Sequence, residues 1–141
     1  MDTTGFFEGM RAIEGNERRP QLQELLRRYL AHDYSDVDGR AAYFASNATF
    51  EDPVGNTPIV GREAIREQYQ GAVSGGFRSA LKPLKIISTG SEAVVVCDTR
   101  VSAGEDPFLD VSMVIYVRVD ADLKFLEFRI FFDEDSAKTA A

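Results

Sequence analysis

Three residues in the first half of this 141-residue chain could together move a proton on carbon: Asp52, Tyr29 and Tyr69. Asp52 closes the run Ala48-Thr49-Phe50-Glu51 and is followed by Pro53-Val54-Gly55. Proline has no amide hydrogen and biases the residue before it away from helix, so Asp52 is expected at the end of a strand, held extended. Gly55 permits the sharp turn behind it. Tyr29 and Tyr69 fall on helix stripes that are otherwise apolar, and a phenol buried there needs a hydrogen-bond partner. A carboxylate beside a dry pocket gains proton affinity. A carboxylate base with phenol donors suits proton abstraction next to a carbonyl: the base takes the α-proton and the phenol holds the enolate oxygen. Each residue type also has a plainer use. Buried tyrosines commonly pack, and an aspartate before proline commonly closes a turn. Glu51 alternates with Asp52 and is expected to face solvent or an ion-pair partner.

The elements that must position these residues follow from periodicity. A helix is predicted from Pro20, a residue suited to the first turn, with Leu22, Leu25, Leu26, Tyr29 and Leu30 at i, i+3, i+4, i+7 and i+8. A shorter second helix is capped by Asp36 and turns Val37, Ala41 and Phe44 inward. A third, over about 62–73, places Ile65, Tyr69 and Val73 on one face and stops at Gly75-Gly76. Strands are predicted near 77–88, 92–103, 108–119 and 124–132. In the third of these, Leu109, Val111, Met113, Ile115 and Val117 face one way while Asp110, Ser112, Tyr116 and Arg118 face the other. In the last, Leu126, Phe128, Ile130 and Phe132 share a side. Helices followed by strands imply an α+β fold, three helices on one curved, mainly antiparallel sheet, with an apolar pocket between them. Phe44, Met113, Ile115 and Phe128 are the expected substrate-binding residues. Residues 1–19 read as an arm or short extra helix, 20–133 as the domain, and 134–141 as a flexible tail.

Composition removes several classes of function. A net charge of −7 gives phosphates nothing to bind, which argues against nucleic acid as a partner. No apolar run reaches membrane-spanning length, and the N-terminus has no signal-peptide pattern, so a cytoplasmic protein is expected. Cys97 is the only cysteine and His32 the only histidine, so neither a disulfide nor a metal or nucleotide cofactor is expected. Cys97 lies in an apolar strand and reads as a buried small hydrophobe. His32 ends the first helix near Asp33 and reads as a capping residue. Ten Phe and five Tyr with no Trp can fill a core or line a cavity.

Over Arg28 to Tyr69 the chain resembles the bacterial ketosteroid isomerases. The matching runs are Arg28-Tyr29-Leu30-Ala31, Asp36-Val37-Asp38-Gly39, Ala48 to Gly55, and Ala64-Ile65-Arg66-Glu67-Gln68-Tyr69. The resemblance implies the cone-shaped nuclear transport factor 2-like fold, within the polyketide cyclase-like superfamily, and a homodimer. It implies Asp52 as catalytic base, Tyr29 as main oxyanion donor and Tyr69 as the tyrosine supporting that donor. In that family a protonated aspartate supplies a second donor, an arrangement that is a standard illustration of a carboxylic acid kept neutral by its surroundings. Here the equivalent position is Ile115. Asp98 and Asp110 are the acids that a shifted strand register would bring inward.

The leading expectation is an isomerase that shifts a double bond in a hydrophobic, steroid-like ketone through an enolate. Loss of one oxyanion donor costs on the order of 10²–10³ in rate. The alternatives are a cyclase, lyase or epoxide hydrolase of the same fold, or a non-catalytic dimeric module that binds a small molecule. An epoxide hydrolase needs a carboxylate, an arginine and an amide around one water, and the strand arginines Arg100 and Arg129 are expected on the solvent face.

Overall fold

In the computed structural model, which describes residues 2–141, the apolar stripe read from the sequence becomes the buried face of α2 (Arg19–Ala31), with Pro20 in its first turn. Leu22, Leu25, Leu26 and Tyr29 of that helix are all buried. Before it lie α1 (Thr3–Arg11), capped by Asp2, and a 3₁₀ turn at Asn16–Arg18. No residue of α1 is buried. The short α3 (Val37–Ala41) is capped by Asp36, whose carboxylate accepts from the Gly39 amide at 3.1 Å. The last helix, α4 (Arg62–Ser74), buries Ile65 and Tyr69 and starts after Gly61, whose φ of 96° suits glycine.

Seven strands form one sheet: β1 (Phe44–Glu51), β2 (Ile59–Val60), β3 (Phe77–Ser88), β4 (Glu92–Ala103), β5 (Asp106–Val119), β6 (Phe125–Phe131) and β7 (Ala137–Thr139). Their order is β2-β1-β6-β5-β4-β3, with β7 paired to β5. Every pairing is antiparallel except β1 with β6, which is parallel. The long β3–β4–β5 meander curls around α2 and α4, and the core lies between them. The inward residues of β4 are Ala93, Val95, Cys97 and Thr99, all buried. Burial of the Cys97 thiol pushes its pKa up to about 11, so it is inert at neutral pH.

Three details correct the sequence reading. Phe44 is not on the second helix: it opens β1, because the chain turns at Ala42 and Tyr43 and pairs Phe44 with Phe125. On β6 the inward place expected of Leu126 goes to Phe125, which is fully buried, because the pairing with β5 shifts between Arg118 and Val119. The C-terminal residues expected as a flexible tail instead form a 3₁₀ turn at Glu134–Ser136 and then β7, which pairs with Leu109–Val111. Asp133 and Ser136 cap that turn reciprocally, which directs the chain back onto the sheet edge.

Candidate functional site

Two neighbours fix the end of β1. Phe50 pairs with Ile59 of β2 on one side and with Phe128 of β6 on the other. Alternation then turns Phe50 inward and Glu51 outward, where Glu51 accepts from Arg129 at 2.9 Å. Asp52 follows on the inner side, joined to Pro53 by a cis peptide bond. The turn is tied down by the Val54 amide donating to the Ile130 carbonyl at 2.8 Å and by the Asn56 side chain donating to the Asp52 carbonyl at 3.0 Å. The Asp52 carboxylate itself has no hydrogen bond or ion pair among the described residues. It sits at the cavity rim, where the residue keeps contact with solvent while the surrounding protein desolvates the carboxyl. Its pKa is therefore raised, by desolvation alone.

The two tyrosines meet across the helices. Their hydroxyls are 2.6 Å apart, Tyr29 on α2 and Tyr69 on α4. Aromatic rings hold them there. Tyr29 packs edge-on against Phe125 at 5.1 Å and Phe128 at 5.4 Å, and Tyr69 against Phe50 at 5.6 Å. Burial raises the pKa of both phenols, and Tyr69, which also feels Tyr29 and Asp52, lies well above the ordinary range. Tyr69 is thus the poorer anion of the two. The two hydroxyls share one hydrogen bond in which either can donate.

Beside this pair stands Arg40, on α3. Its guanidinium lies 3.9 Å from the centre of the Tyr69 ring and 4.3 Å from that of Tyr34, and it donates to the Tyr34 carbonyl at 3.1 Å. No carboxylate pairs with it among the described residues. Next to it, His32 bonds Asp36 through Nε2 at 2.8 Å and approaches the Tyr43 hydroxyl through Nδ1 at 3.3 Å. A Cβ at Gly39 would collide with the side chains of both His32 and Asp36, so glycine here leaves room for the His32–Asp36 bond.

These groups border one cavity of about 300 Å³. Asp52, Tyr29, Tyr69, Arg40 and His32 line it from the helices and the end of β1, while Met113, Ile115 and Phe128 line it from the sheet. The structure therefore brings the proposed base and both phenols to one space, and three of the four expected substrate-binding residues with them. Phe44 is the exception. It is fully buried beneath Tyr29 and Tyr69, with ring centroids 6.0 and 6.1 Å away, and offers a ligand no surface. Ile115 stands on the inner face, as expected of the position that lacks an acid. Neither Asp98 nor Asp110 replaces it: Asp98 accepts from Ser112 and Asp110 binds Arg100 in a fork at 2.8 and 3.0 Å, both on the outer face. Arg129 is likewise outside, on Glu51. Sequence reasoning missed Arg40 and gave His32 only a capping role. A single arginine on a five-residue helix has no periodicity to betray which way it points. Among the described residues no cluster of three or more His, Cys, Asp or Glu could hold a metal ion, and no helix is long and apolar enough to cross a membrane.

Comparison with known proteins agrees with this architecture. A family model described as SnoaL-like domain matches residues 22–127. Among solved structures, SalBIII, described as an epoxide hydrolase/cyclase-like enzyme in pyran ring formation in the polyether salinomycin, superposes with a TM-score of 0.77 at 23% identity. The match covers 86% of this chain and 98% of that one. A computationally designed 17-OHP binder superposes with a TM-score of 0.69 at 20% identity, over 84% of this chain and 94% of that one. The α+β cone with its curved, unclosed sheet is the nuclear transport factor 2-like fold.

Proposed function

The chain belongs to the SnoaL-like domain family, and from that premise we propose that it is an isomerase that shifts a double bond in a hydrophobic, steroid-like ketone. The observation that carries this reading is an unpaired Asp52 carboxylate, its pKa raised by desolvation, lining the same cavity as the bonded hydroxyls of Tyr29 and Tyr69. Asp52 takes the proton between the carbonyl and the isolated double bond. The C–H electron pair moves into the dienolate, whose oxygen accepts from Tyr29, and Tyr69 supports Tyr29. Asp52 then returns the proton to the γ-carbon, which leaves the conjugated ketone and the free carboxylate. No water or cofactor is consumed. The test is the absorbance that conjugation creates when a β,γ-unsaturated 3-ketosteroid is added. The expected result is turnover by the wild type and none above background by Asp52→Asn; a steroid that is bound but never conjugated would overturn it.

One observation favours a second reading, a same-fold cyclase, lyase or epoxide hydrolase. Arg100 and Arg129 are held on the outer face by Asp110 and Glu51, whereas Arg40 and Asp52 share the cavity. A carboxylate that activates a hydroxyl and a cation that favours the departing oxygen would serve ring closure or epoxide opening. Formation of a cyclic ether from a hydroxy-epoxide, with the ketosteroid left unchanged, would select it. A binding module without catalysis would bind both compounds and convert neither.

The same reading makes the chain a homodimer. Support comes from an apolar row across the outer face of the sheet, where Val96 pairs with Val114 and Val114 with Phe131. Phe131 is 40% exposed. Sedimentation of the wild type as a dimer and of Phe131→Arg as a monomer is the expected outcome; a monomeric wild type would contradict it.

A further inference from the structure

Ile115 leaves the Tyr29–Tyr69 pair without the neutral acid that would share an enolate's charge, yet the opposite side of the pair holds a cation. Arg40 reaches the phenols from α3, at 3.9 Å from the Tyr69 ring centre, with its outer side closed by Tyr34. Its position is fixed by the bond to the Tyr34 carbonyl and by the rings of Tyr34 and Tyr69. It is half-buried and has no carboxylate partner among the described residues, in a chain with 23 acidic and 16 basic residues. A guanidinium kept from carboxylates and set against phenols is not placed for an ordinary surface ion pair.

We infer that Arg40 is a positioning residue for the oxyanion site: its fixed charge lets the Tyr29–Tyr69 pair carry the negative charge that develops on the substrate oxygen. As the enolate forms, its oxygen and Tyr29 draw closer, and part of the charge passes onto the phenol pair. A cation stacked on that pair attracts this charge without touching the substrate, and little solvent intervenes. The direction agrees with the phenols themselves, since Arg40 is the largest influence lowering the pKa of Tyr29 against burial and also lowers that of Tyr69. The other groups around the pair oppose it or stand apart. Asp52 presses on Tyr69 from β1, Tyr34 on Tyr29 from the loop before α3, and His32 is engaged with Asp36. A guanidinium stays charged throughout the working pH range. The site therefore keeps its second stabilising group at alkaline pH, where a protonated carboxylic acid would be lost.

This inference rests on the reading that Tyr29 holds the substrate oxygen, and its test needs no turnover. Binding of 4-nitrophenol and of unsubstituted phenol is measured at a mildly alkaline pH where the first is an anion and the second neutral. Wild type, Arg40→Met, Arg40→Gln and Arg40→Lys are compared. Loss of the charge should weaken 4-nitrophenolate about tenfold, corresponding to about one unit of phenol pKa, and leave phenol within about twofold. Arg40→Lys should recover most of the loss, and in a Tyr29→Phe background the Arg40 substitutions should have no further effect. Equal weakening of both probes, or none of either, would overturn the role of Arg40. Failure of the wild type to bind either phenol would overturn the phenol-pair reading itself. Charge-selective binding in a protein that never conjugates a ketosteroid would leave Arg40's role standing and remove the isomerase reading.

Discussion

The cavity has two unlike walls. The helix-side wall, with the end of β1, carries Asp52, Tyr29, Tyr69 and Arg40, four groups that ionise or hold a proton. The sheet-side wall is mostly apolar, with Val111, Met113, Ile115 and Phe128, and Ser79 and Thr99 are its hydroxyl-bearing residues. The helix-side groups converge because a strand end delivers Asp52, the α2–α4 contact delivers Tyr29 and Tyr69, and the five-residue α3 delivers Arg40. The sheet wall comes from β3, β4, β5 and β6, whose alternation repeats along their length, so it fixes shape and dryness without placing any one atom critically. The proposed isomerase reading thereby places its chemistry on one wall and the selection of a hydrophobic substrate on the other. The apolar wall still serves the chemistry, because a dry cavity strengthens every electrostatic contact on the other side.

Substitutions on the two walls should therefore differ in kind. The largest effect belongs to Asp52→Asn, which removes the proposed base: kcat is expected to fall by roughly 10²–10⁴ with ligand affinity retained, measured by steady-state kinetics and by phenol binding. The same substitution should raise Tm at neutral pH. The folded-state pKa of Asp52 lies above its unfolded value, so folding is assisted by this group only below the unfolded pKa, and that assistance is lost as pH rises through the folded one. Thermal melts should show the advantage of Asp52→Asn shrinking as the solution is acidified. The acid limb of the wild-type rate profile should sit above the ordinary aspartate pKa for the same reason.

Next comes Tyr29→Phe, which removes the direct donor and leaves the ring in place. Its kcat should drop by about 10²–10³, with KM little changed. On the sheet wall, Ile115→Asp tests whether the missing acid limits the rate. Buried at that position the carboxyl is expected to stay neutral and donate, raising kcat on the ketosteroid about tenfold at acidic to neutral pH. A fall in kcat with the fold intact would place the oxyanion elsewhere. The smallest effect is that of Thr99→Val. The Thr99 hydroxyl is buried with no hydrogen-bond partner among the described residues, and valine has the same shape. A rise in Tm of a few degrees is expected, since a buried, unsatisfied hydroxyl costs about 1–3 kcal/mol. A fall would show that the hydroxyl is satisfied after all.

The contrast between the walls also explains how much could be read beforehand. Asp52, Tyr29 and Tyr69 stood out because each breaks a local rule: a carboxylate before proline at a strand end, and two phenols on leucine and isoleucine stripes. The alternation of β5 announced Met113 and Ile115 in the same way. Phe44 was misplaced because an apolar residue just after a short helix fits either the helix or the strand, and only its pairing with Phe125 decides. Phe125 was displaced from its expected solvent side by a shift in strand pairing, which leaves no mark in composition. Arg40 went unread for a different reason. Its role depends on two tyrosines outside its own helix, Tyr34 and Tyr69, neither adjacent to it in sequence. The C-terminal β7 depends on the edge of β5 being open to it, again a tertiary fact.

The central claim is that Asp52 removes a proton from carbon while Tyr29 holds the oxygen. It is tested most directly by incubating a saturated 3-ketosteroid, which can enolise but cannot isomerise, with the protein in deuterium oxide and following the α-hydrogens by NMR. The account predicts deuterium at the α-carbon with the wild type, strongly slowed exchange with Tyr29→Phe and exchange at the solvent background with Asp52→Asn. Exchange that persists unchanged in Asp52→Asn, or none in a wild type that binds the ketone, would contradict it.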